Sequence, residues 1–87
     1  MYSLGMDSFT WSLEKNQLLL QTRGISFDEV AAAIEAGFLM GEMQSPTRPN
    51  QSILVVLIDG YPWDVPFVQL EDGTKFLKTA FPNRKRK

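Results

Sequence analysis

Cysteine and histidine are both absent from this 87-residue chain. Without cysteine the protein can form neither a disulfide framework nor a thiolate metal site, and without histidine it lacks the commonest metal ligand. The same two absences exclude a Ser-His or Cys-His nucleophile pair. Any catalysis must therefore use lysine, arginine, tyrosine or carboxylate side chains, and we expect neither a metal nor a cofactor.

Long apolar runs are missing as well. The longest, Ile53 to Ile58, is six residues long, whereas a membrane-spanning helix needs about 20. The first residues also lack the basic and apolar pattern of a secretion signal. We therefore expect a cytoplasmic protein without membrane contact. Apolar residues make up 44% and charged residues 22% of the chain, a globular composition, so residues 1–87 are interpreted as one small domain.

Positive charge is scarce until the end of the sequence. Residues 1–72 carry ten acidic and three basic side chains, a net charge of -7, whereas residues 73–87 carry six basic side chains and no acid. Residues 82–87 are interpreted as a basic tail. Three roles are open for such a segment: a solvated tail, a contact for nucleic acid, or a contact for an acidic partner. Charge alone does not choose among the three.

Helix signals dominate the first half of the chain. A short strand is predicted from Met6 to Trp11 by alternating aromatic and polar residues. Ser12 is a good cap for a first helix that ends at Gly24. Ser26 and Glu29 have the spacing of a capping box and open a second helix that stops at Gly37. An extended piece over 38–43 and a proline-containing loop, "SPTRPNQ", follow, with Arg48 at the tip of the loop.

Strand signals dominate the second half. Asp59-Gly60 and Asp72-Gly73 are hairpin turns between β-rich segments, which predicts a meander of three strands. Pro62 and Pro66 share one parity of the middle strand, so an irregularity is expected near Pro62. The whole pattern predicts an α+β fold, in which an N-terminal strand and a two-helix hairpin pack on a small antiparallel sheet. The opposite sheet face is left available for a ligand or partner.

Candidate binding residues follow from the alternation of side chains along strands. Lys75 and Lys78 have opposite parity, so the last strand carries one lysine on each face. Tyr61, Trp63 and Phe67 share one face of the neighbouring strand. Two interpretations remain open for these aromatic residues: they pack in the core, or they stack on RNA bases while the lysines bind phosphate.

Five segments in order, "FTWSLEKNQ", "RGISFDEV", "PNQSILVV", "GYPWDVPFV" and "FLKTAFPNRK", resemble the BrnT toxin family of bacterial type II toxin-antitoxin systems. They are most similar to a branch with a "VPFV…FLKT" ending. The resemblance spans nearly the whole chain. It implies a RelE-like fold, metal-independent RNA endonuclease activity that inhibits translation and growth, and neutralisation by a cognate ribbon-helix-helix antitoxin.

The resemblance also implies roles for individual residues. Lys78 and Arg84 stand in its "FLKT…R" pattern and are expected to bind the scissile phosphate and stabilise its developing charge. Arg48 is expected to join them from its loop, and Tyr61 to stack on a base or relay a proton. These four are the catalytic candidates. The further RNA-binding candidates are Lys75, Trp63, Lys85, Arg86 and Lys87.

Two departures from the family keep a second hypothesis open. Relatives of this branch have a longer basic loop before "PNQ" and continue past "RK" with a tail that ends in an aromatic residue, whereas this sequence stops at Lys87. If that tail supplies an acid or base, catalysis is weakened or lost here. The alternative is a non-catalytic protein-binding module that acts with a DNA-binding antitoxin or repressor.

Overall fold

The structure is a computed structural model and describes residues 8–84. It contains two helices and six strands, which confirms the α+β class. The helices are α1 (Leu13–Arg23) and α2 (Phe27–Glu35). The strands are β1 (Phe9–Thr10), β2 (Leu39–Gln44), β3 (Ser52–Ile58), β4 (Tyr61–Gln69), β5 (Lys75–Leu77) and β6 (Phe81–Pro82).

Local capping signals fix both helices, as predicted. The Ser12 hydroxyl accepts a hydrogen bond from the Lys15 N–H, and Gly24 ends α1 in the left-handed conformation at φ 76°. At the start of α2, Ser26 and Glu29 each accept a 3.2 Å bond from the other's backbone N–H. This reciprocal pair is the expected capping box.

The strand order is β1-β5-β4-β3-β2, with β6 beside β4. All neighbouring strands are antiparallel except β1 and β5, which pair in parallel with Phe9 opposite Lys75. The expected antiparallel sheet is therefore mixed. A hairpin imposes antiparallel pairing, but β1 reaches β5 only after the chain has passed through both helices and three strands, so either direction is allowed. The first strand is shorter than expected, and residues 6 and 7 of the prediction lie outside the described range.

The irregularity predicted near Pro62 is absent from the β3–β4 pairing. The register runs without a shift from Ser52 opposite Phe67 to Ile58 opposite Tyr61, so the prediction is wrong on this side of β4. A register shift occurs instead in β2, between Leu39 and Gly41.

The prolines explain where β4 does become irregular. The backbone N–H groups of Lys78 and Asn83 donate to the carbonyls of Pro66 and Pro62, so both prolines direct their hydrogen-bonding side toward β5 and β6. Neither proline can donate there. Along that side, the three steps from Asp64 to Phe67 match four steps from Leu77 to Phe81. The connection from β5 to β6 therefore contains one residue more than the stretch of β4 that it faces.

The hydrophobic core lies between the helices and one face of the sheet. Phe27 and Val30 from α2 are fully buried against Val56 and Val65 from the central strands. Burying each such side chain contributes roughly 1.5–3 kcal/mol. Phe67 belongs to this core, and Trp63 packs against it. The core-packing interpretation of these two aromatic residues is therefore confirmed.

The other face of the sheet carries the alternate residues of the same strands. Met43, Ile53 and Pro66 lie side by side across β2, β3 and β4. Neither Ile53 nor Pro66 belongs to the core beneath the helices. This face, turned away from the core, is called the open face below.

Candidate nucleic-acid interface

A groove of about 890 Å³ lies on the open face. Its lining includes Ile53, Asp64 and Pro66, which lie on strands of the sheet, and three basic side chains: the half-buried Lys15 and the exposed Arg48 and Lys78. Asp64 is its one acidic lining residue among the part of the chain that the structure describes. We call this feature the basic groove. Its lining is net positive, although residues 1–72 as a whole are strongly acidic.

The loop of residues 45–51 holds Arg48 through its backbone. The Arg48 N–H donates a 3.1 Å bond to the Ser45 hydroxyl, and the Arg48 carbonyl accepts a 3.0 Å bond from the Gln51 N–H. The Ser45 N–H in turn donates to the Gln51 carbonyl. This closed loop fixes the point from which the exposed guanidinium extends.

Lys78 enters the groove from the chain just after β5. Its backbone N–H donates a 2.8 Å bond to the Pro66 carbonyl, which ties the residue to the central strand β4. Its ammonium nitrogen lies 5.4 Å from the centre of the Phe76 ring, within the range of a cation–π contact. The lysine is exposed but oriented by these two contacts.

The lining of the basic groove also includes a buried carboxyl group. Asp64 is only 3% exposed, and its Oδ2 atom accepts a 2.9 Å hydrogen bond from the Asn83 side chain. Asn83 lines the groove as well, and its own N–H is bonded to the Pro62 carbonyl. Phe81, directly opposite Asp64 on β6, adds a half-buried ring to the lining. Beside its cations, the lining therefore combines apolar surface with one acidic group.

Two of the four catalytic candidates meet in the basic groove. Arg48 and Lys78 both line it, although one comes from a loop and the other from the end of a strand. Arg84 is exposed and does not line the groove, but it follows Asn83, which does. Tyr61 lies opposite Ile58, a core residue, on the helix-facing parity of β4. The structure therefore does not bring Tyr61 to the groove.

The further RNA-binding candidates are placed differently from the expectation. Lys75 is only 7% exposed, and its ammonium lies 5.5 Å above the ring of the core residue Phe67. Trp63 packs against the same core. Both side chains are on the face opposite the basic groove, so their placement gives no support to direct RNA contact. Lys85, Arg86 and Lys87 lie outside the described residues, and the predicted tail begins within β6, at Pro82.

Sequence reasoning missed Lys15 and Asp64. Lys15 belongs to the first turn of α1, and nothing in the local pattern indicates that this turn reaches a groove on the sheet. Asp64 did carry a signal: it is a charged residue in the middle of an apolar strand, between Trp63 and Val65. A charged side chain in such a position requires hydrogen-bonding partners, and this requirement marks Asp64 as a residue of interest.

Residues 8–84 contain neither a cluster of metal-binding side chains nor a membrane-spanning helix. No group of three or more His, Cys, Asp or Glu side chains in this range is arranged to hold a metal ion. No helix in the same range is long and apolar enough to cross a membrane.

Comparison with known proteins gives no assignment. No protein-family profile, no curated protein and no solved structure matches this chain. The resemblance to the BrnT family therefore remains a prediction from the quoted motifs.

Proposed function

We propose that this protein is a BrnT-like toxin of a bacterial type II toxin-antitoxin system, with a RelE-like fold, that cleaves RNA without a metal ion. The observation that supports this proposal is the shared position of Arg48 and Lys78 in one groove, joined there by Lys15. Three cations around a groove on a sheet face suit the phosphates of a single RNA strand. A ribbon-helix-helix antitoxin is the proposed partner that neutralises the toxin.

The proposed reaction is transesterification within the RNA backbone. The ribose 2′-oxygen attacks the adjacent phosphorus, a new O–P bond forms, and the bond to the 5′-oxygen of the next nucleotide breaks. The proton lost from the 2′-hydroxyl is balanced by the proton gained at the leaving oxygen. Arg48 and Lys78 stabilise the negative charge that develops on the phosphate oxygens, and such electrostatic stabilisation is usually the largest single term in catalysis.

Purified protein tests the enzyme proposal directly. We expect it to cleave single-stranded RNA in the presence of a chelator and to leave 2′,3′-cyclic phosphate ends. Lys78→Ala, purified in the same way, controls for contaminating nucleases and is expected to lose the activity. Arg23→Ala removes an exposed charge from the end of α1, outside the basic groove, and is expected to retain it. Intact RNA with the wild-type protein would refute the enzyme proposal.

Expression in bacteria tests the toxin proposal. Induced wild-type protein is expected to arrest growth, and co-expression of a ribbon-helix-helix antitoxin is expected to restore it. Normal growth with abundant protein would contradict a toxin function.

A non-catalytic protein-binding module is the second candidate, and the outer strand β2 favours it. Within residues 8–84 this strand pairs only with β3, and Leu39 and Met40 are 40% and 57% exposed. Phe38, just before the strand, is 50% exposed. Exposed apolar residues on an edge strand are typical of protein contacts. Both candidates bind a partner, so only RNA cleavage distinguishes them.

A further inference from the structure

Phe81 supplies an aromatic ring to the basic groove. Among the groove-lining residues within 8–84 no other is aromatic, and Phe81 is half-buried there. It does not belong to the core beneath the helices. Tyr61 and Trp63, the aromatic residues that the sequence suggested for base stacking, lie toward that core instead. Neither packing under the helices nor the reaction written above accounts for the ring of Phe81.

The pairing of β4 with its neighbours places Phe81 close to Lys78. Phe81 lies directly opposite Asp64, and the Lys78 N–H donates its 2.8 Å bond to the Pro66 carbonyl. Asp64 and Pro66 share the open face of β4 at positions two residues apart, an interval of about 6.6–6.8 Å along a strand. The aromatic residue and the basic residue therefore lie beside consecutive open-face positions of β4.

A nucleotide requires both kinds of side chain. Its phosphate is attracted by a cation and its flat base stacks on an aromatic ring, which is the combination found in grooves that bind single strands. The ribose separates the phosphate from the base, so one side chain cannot bind both. Lys78 and Phe81 offer the two contacts from neighbouring positions, whereas Ile53 and Pro66 offer apolar surface without an aromatic face.

Hydrogen bonds fix the backbone that carries the ring. After Phe81, the Asn83 N–H donates a 3.1 Å bond to the Pro62 carbonyl, and the Asn83 side chain donates a 2.9 Å bond to Asp64. These bonds hold β6 against β4, although β6 has only two residues. A ring on a fixed backbone loses little conformational freedom when a base binds, which favours affinity.

We propose that Phe81 stacks on a base of single-stranded RNA whose phosphate is bound by Lys78. Every base has a flat face, so this contact adds affinity without selecting a sequence. The inference rests on the proposed RNA-binding function and adds the mode of base contact to it.

Binding of two probes of equal charge by the wild-type protein gives the first test. Both are fluorescently labelled 2′-O-methyl pentamers, which lack the 2′-hydroxyl needed for cleavage; one carries five adenines, and the other has the same backbone without bases. Fluorescence anisotropy measures the affinities. The adenine probe is expected to bind roughly 5- to 150-fold more tightly, the range for one stacked base. Equal affinity for the two probes, or no binding of either, would overturn the inference without any protein variant.

Substitution of the ring gives the second test. Phe81→Leu keeps an apolar side chain but removes the aromatic face, so affinity for the adenine probe is expected to fall at least about 5-fold and affinity for the probe without bases to stay unchanged. Phe81→Trp keeps an aromatic face and is expected to retain the preference. Phe38→Leu makes the same change at an exposed phenylalanine outside the basic groove and is expected to bind as wild type.

Two results with Phe81→Leu, its fold verified by circular dichroism, would contradict the proposal. One is unchanged affinity for the adenine probe, and the other is an equal loss of affinity for both probes.

Salt dependence separates stacking from charge. Phe81 is neutral, so Phe81→Leu is expected to leave the slope of log Kd against log salt concentration unchanged. Lys78→Ala is expected to reduce the magnitude of this slope by about 0.7, the value for one phosphate contact with a single strand. An equal reduction in Phe81→Leu would mean that the ring only positions the cation, which would overturn the inference.

Cleavage of unmodified RNA separates this inference from the enzyme proposal. Cleavage by the wild-type protein, combined with equal affinity for the two probes, would remove the inference and leave the enzyme proposal intact. A preference for the adenine probe that depends on Phe81, without cleavage, would support the inference and remove the enzyme proposal.

Discussion

The backbone N–H of Arg48 donates a 3.1 Å hydrogen bond to the hydroxyl oxygen of Ser45. The same oxygen also accepts from the Thr47 N–H at 3.4 Å. One serine therefore organises the turn that presents the arginine to the basic groove, without itself being charged.

Ser45→Ala is expected to reduce RNA cleavage through Arg48. Removing the shared acceptor loosens the loop that positions Arg48. The free energy of about one hydrogen bond corresponds to a roughly 2- to 10-fold lower rate of cleavage. The melting temperature should hardly change because the loop is largely exposed. In an Arg48→Ala background the serine substitution should have no further effect, since its consequence is transmitted by the arginine. Additive losses in this double-mutant cycle would contradict the positioning role.

Asn83→Ala is expected to destabilise the fold by about 1.5–3 kcal/mol, because a buried carboxylate loses a hydrogen-bond donor. The free energy of unfolding can be measured by chemical denaturation. Asn50→Ala, in the exposed loop before β3, is the matched control and should change stability by less than about 0.5 kcal/mol. Equal stabilities of the two variants would show that the Asn83–Asp64 bond contributes little.

Lys78 and the residues after Arg84 are expected to act differently on RNA. Lys78 is held by Pro66 and Phe76, so Lys78→Ala should abolish cleavage while leaving the melting temperature almost unchanged. We expect the same of Arg84→Ala if its guanidinium acts beside Asn83. A chain ending at Arg84 loses only charge that steers RNA, so its binding should weaken mainly at low salt and its turnover should survive.

Cleavage and growth arrest compared across these three variants decide the assignment. Loss of activity only in the shortened chain would transfer the site to residues 85–87. Full activity in all three would leave the basic end without a role in cleavage.

Ser26→Ala is expected to cost about 0.5–2 kcal/mol of stability by removing the acceptor of the Glu29 N–H. Thermal unfolding followed by circular dichroism measures the loss. Ser8→Ala changes an exposed serine outside any helix and should leave the transition in place. A wild-type transition in Ser26→Ala would mean that α2 does not depend on its capping box.

Asp72 is expected to make a small, pH-dependent contribution to stability. The Thr74 N–H donates to Asp72 Oδ1 at 2.9 Å, and this backbone bond, with one from the Thr74 side chain, lowers the pKa of the Asp72 carboxyl below its ordinary value. A lowered folded-state pKa stabilises the protein above the unfolded value, about 3.9, and this stability is lost as the pH falls through the folded-state value.

The stability difference between wild type and Asp72→Ala should therefore be constant at neutral pH and shrink in strongly acidic solution. Urea denaturation at a series of pH values measures this difference. A difference that persists unchanged below the folded-state pKa would assign the effect to turn geometry rather than to charge.

Features fixed by a few neighbouring residues were predictable from the sequence. Ser12, Ser26 and Gly24 determine helix ends within one turn, and Asp59-Gly60 determines a hairpin between adjacent strands. The physical reason is that each of these signals acts through hydrogen bonds or backbone angles of residues only a few positions away.

Features that depend on packing were not predictable in the same way. Strand alternation showed that Lys75 and Lys78 occupy opposite faces, but it could not show which face the helices cover. The structure places Lys75 against the core and Lys78 in the basic groove. The presence of Lys15 in the groove was not predictable from the sequence either. The position of α1 over the sheet depends on the burial of Leu19 and not on the residues next to Lys15.

The parallel pairing of Phe9 with Lys75 has a consequence for the timing of synthesis. A ribosome adds about 5–20 residues per second, so Phe9 waits roughly 3–13 seconds before its partner has been made. The basic groove is completed later still, because its lining residues Lys78 and Asn83 are made after Lys75. A nascent chain therefore cannot form the complete basic groove until Lys78 and Asn83 have been added. The proposed nuclease activity therefore cannot arise before residues 78–83 have been synthesised.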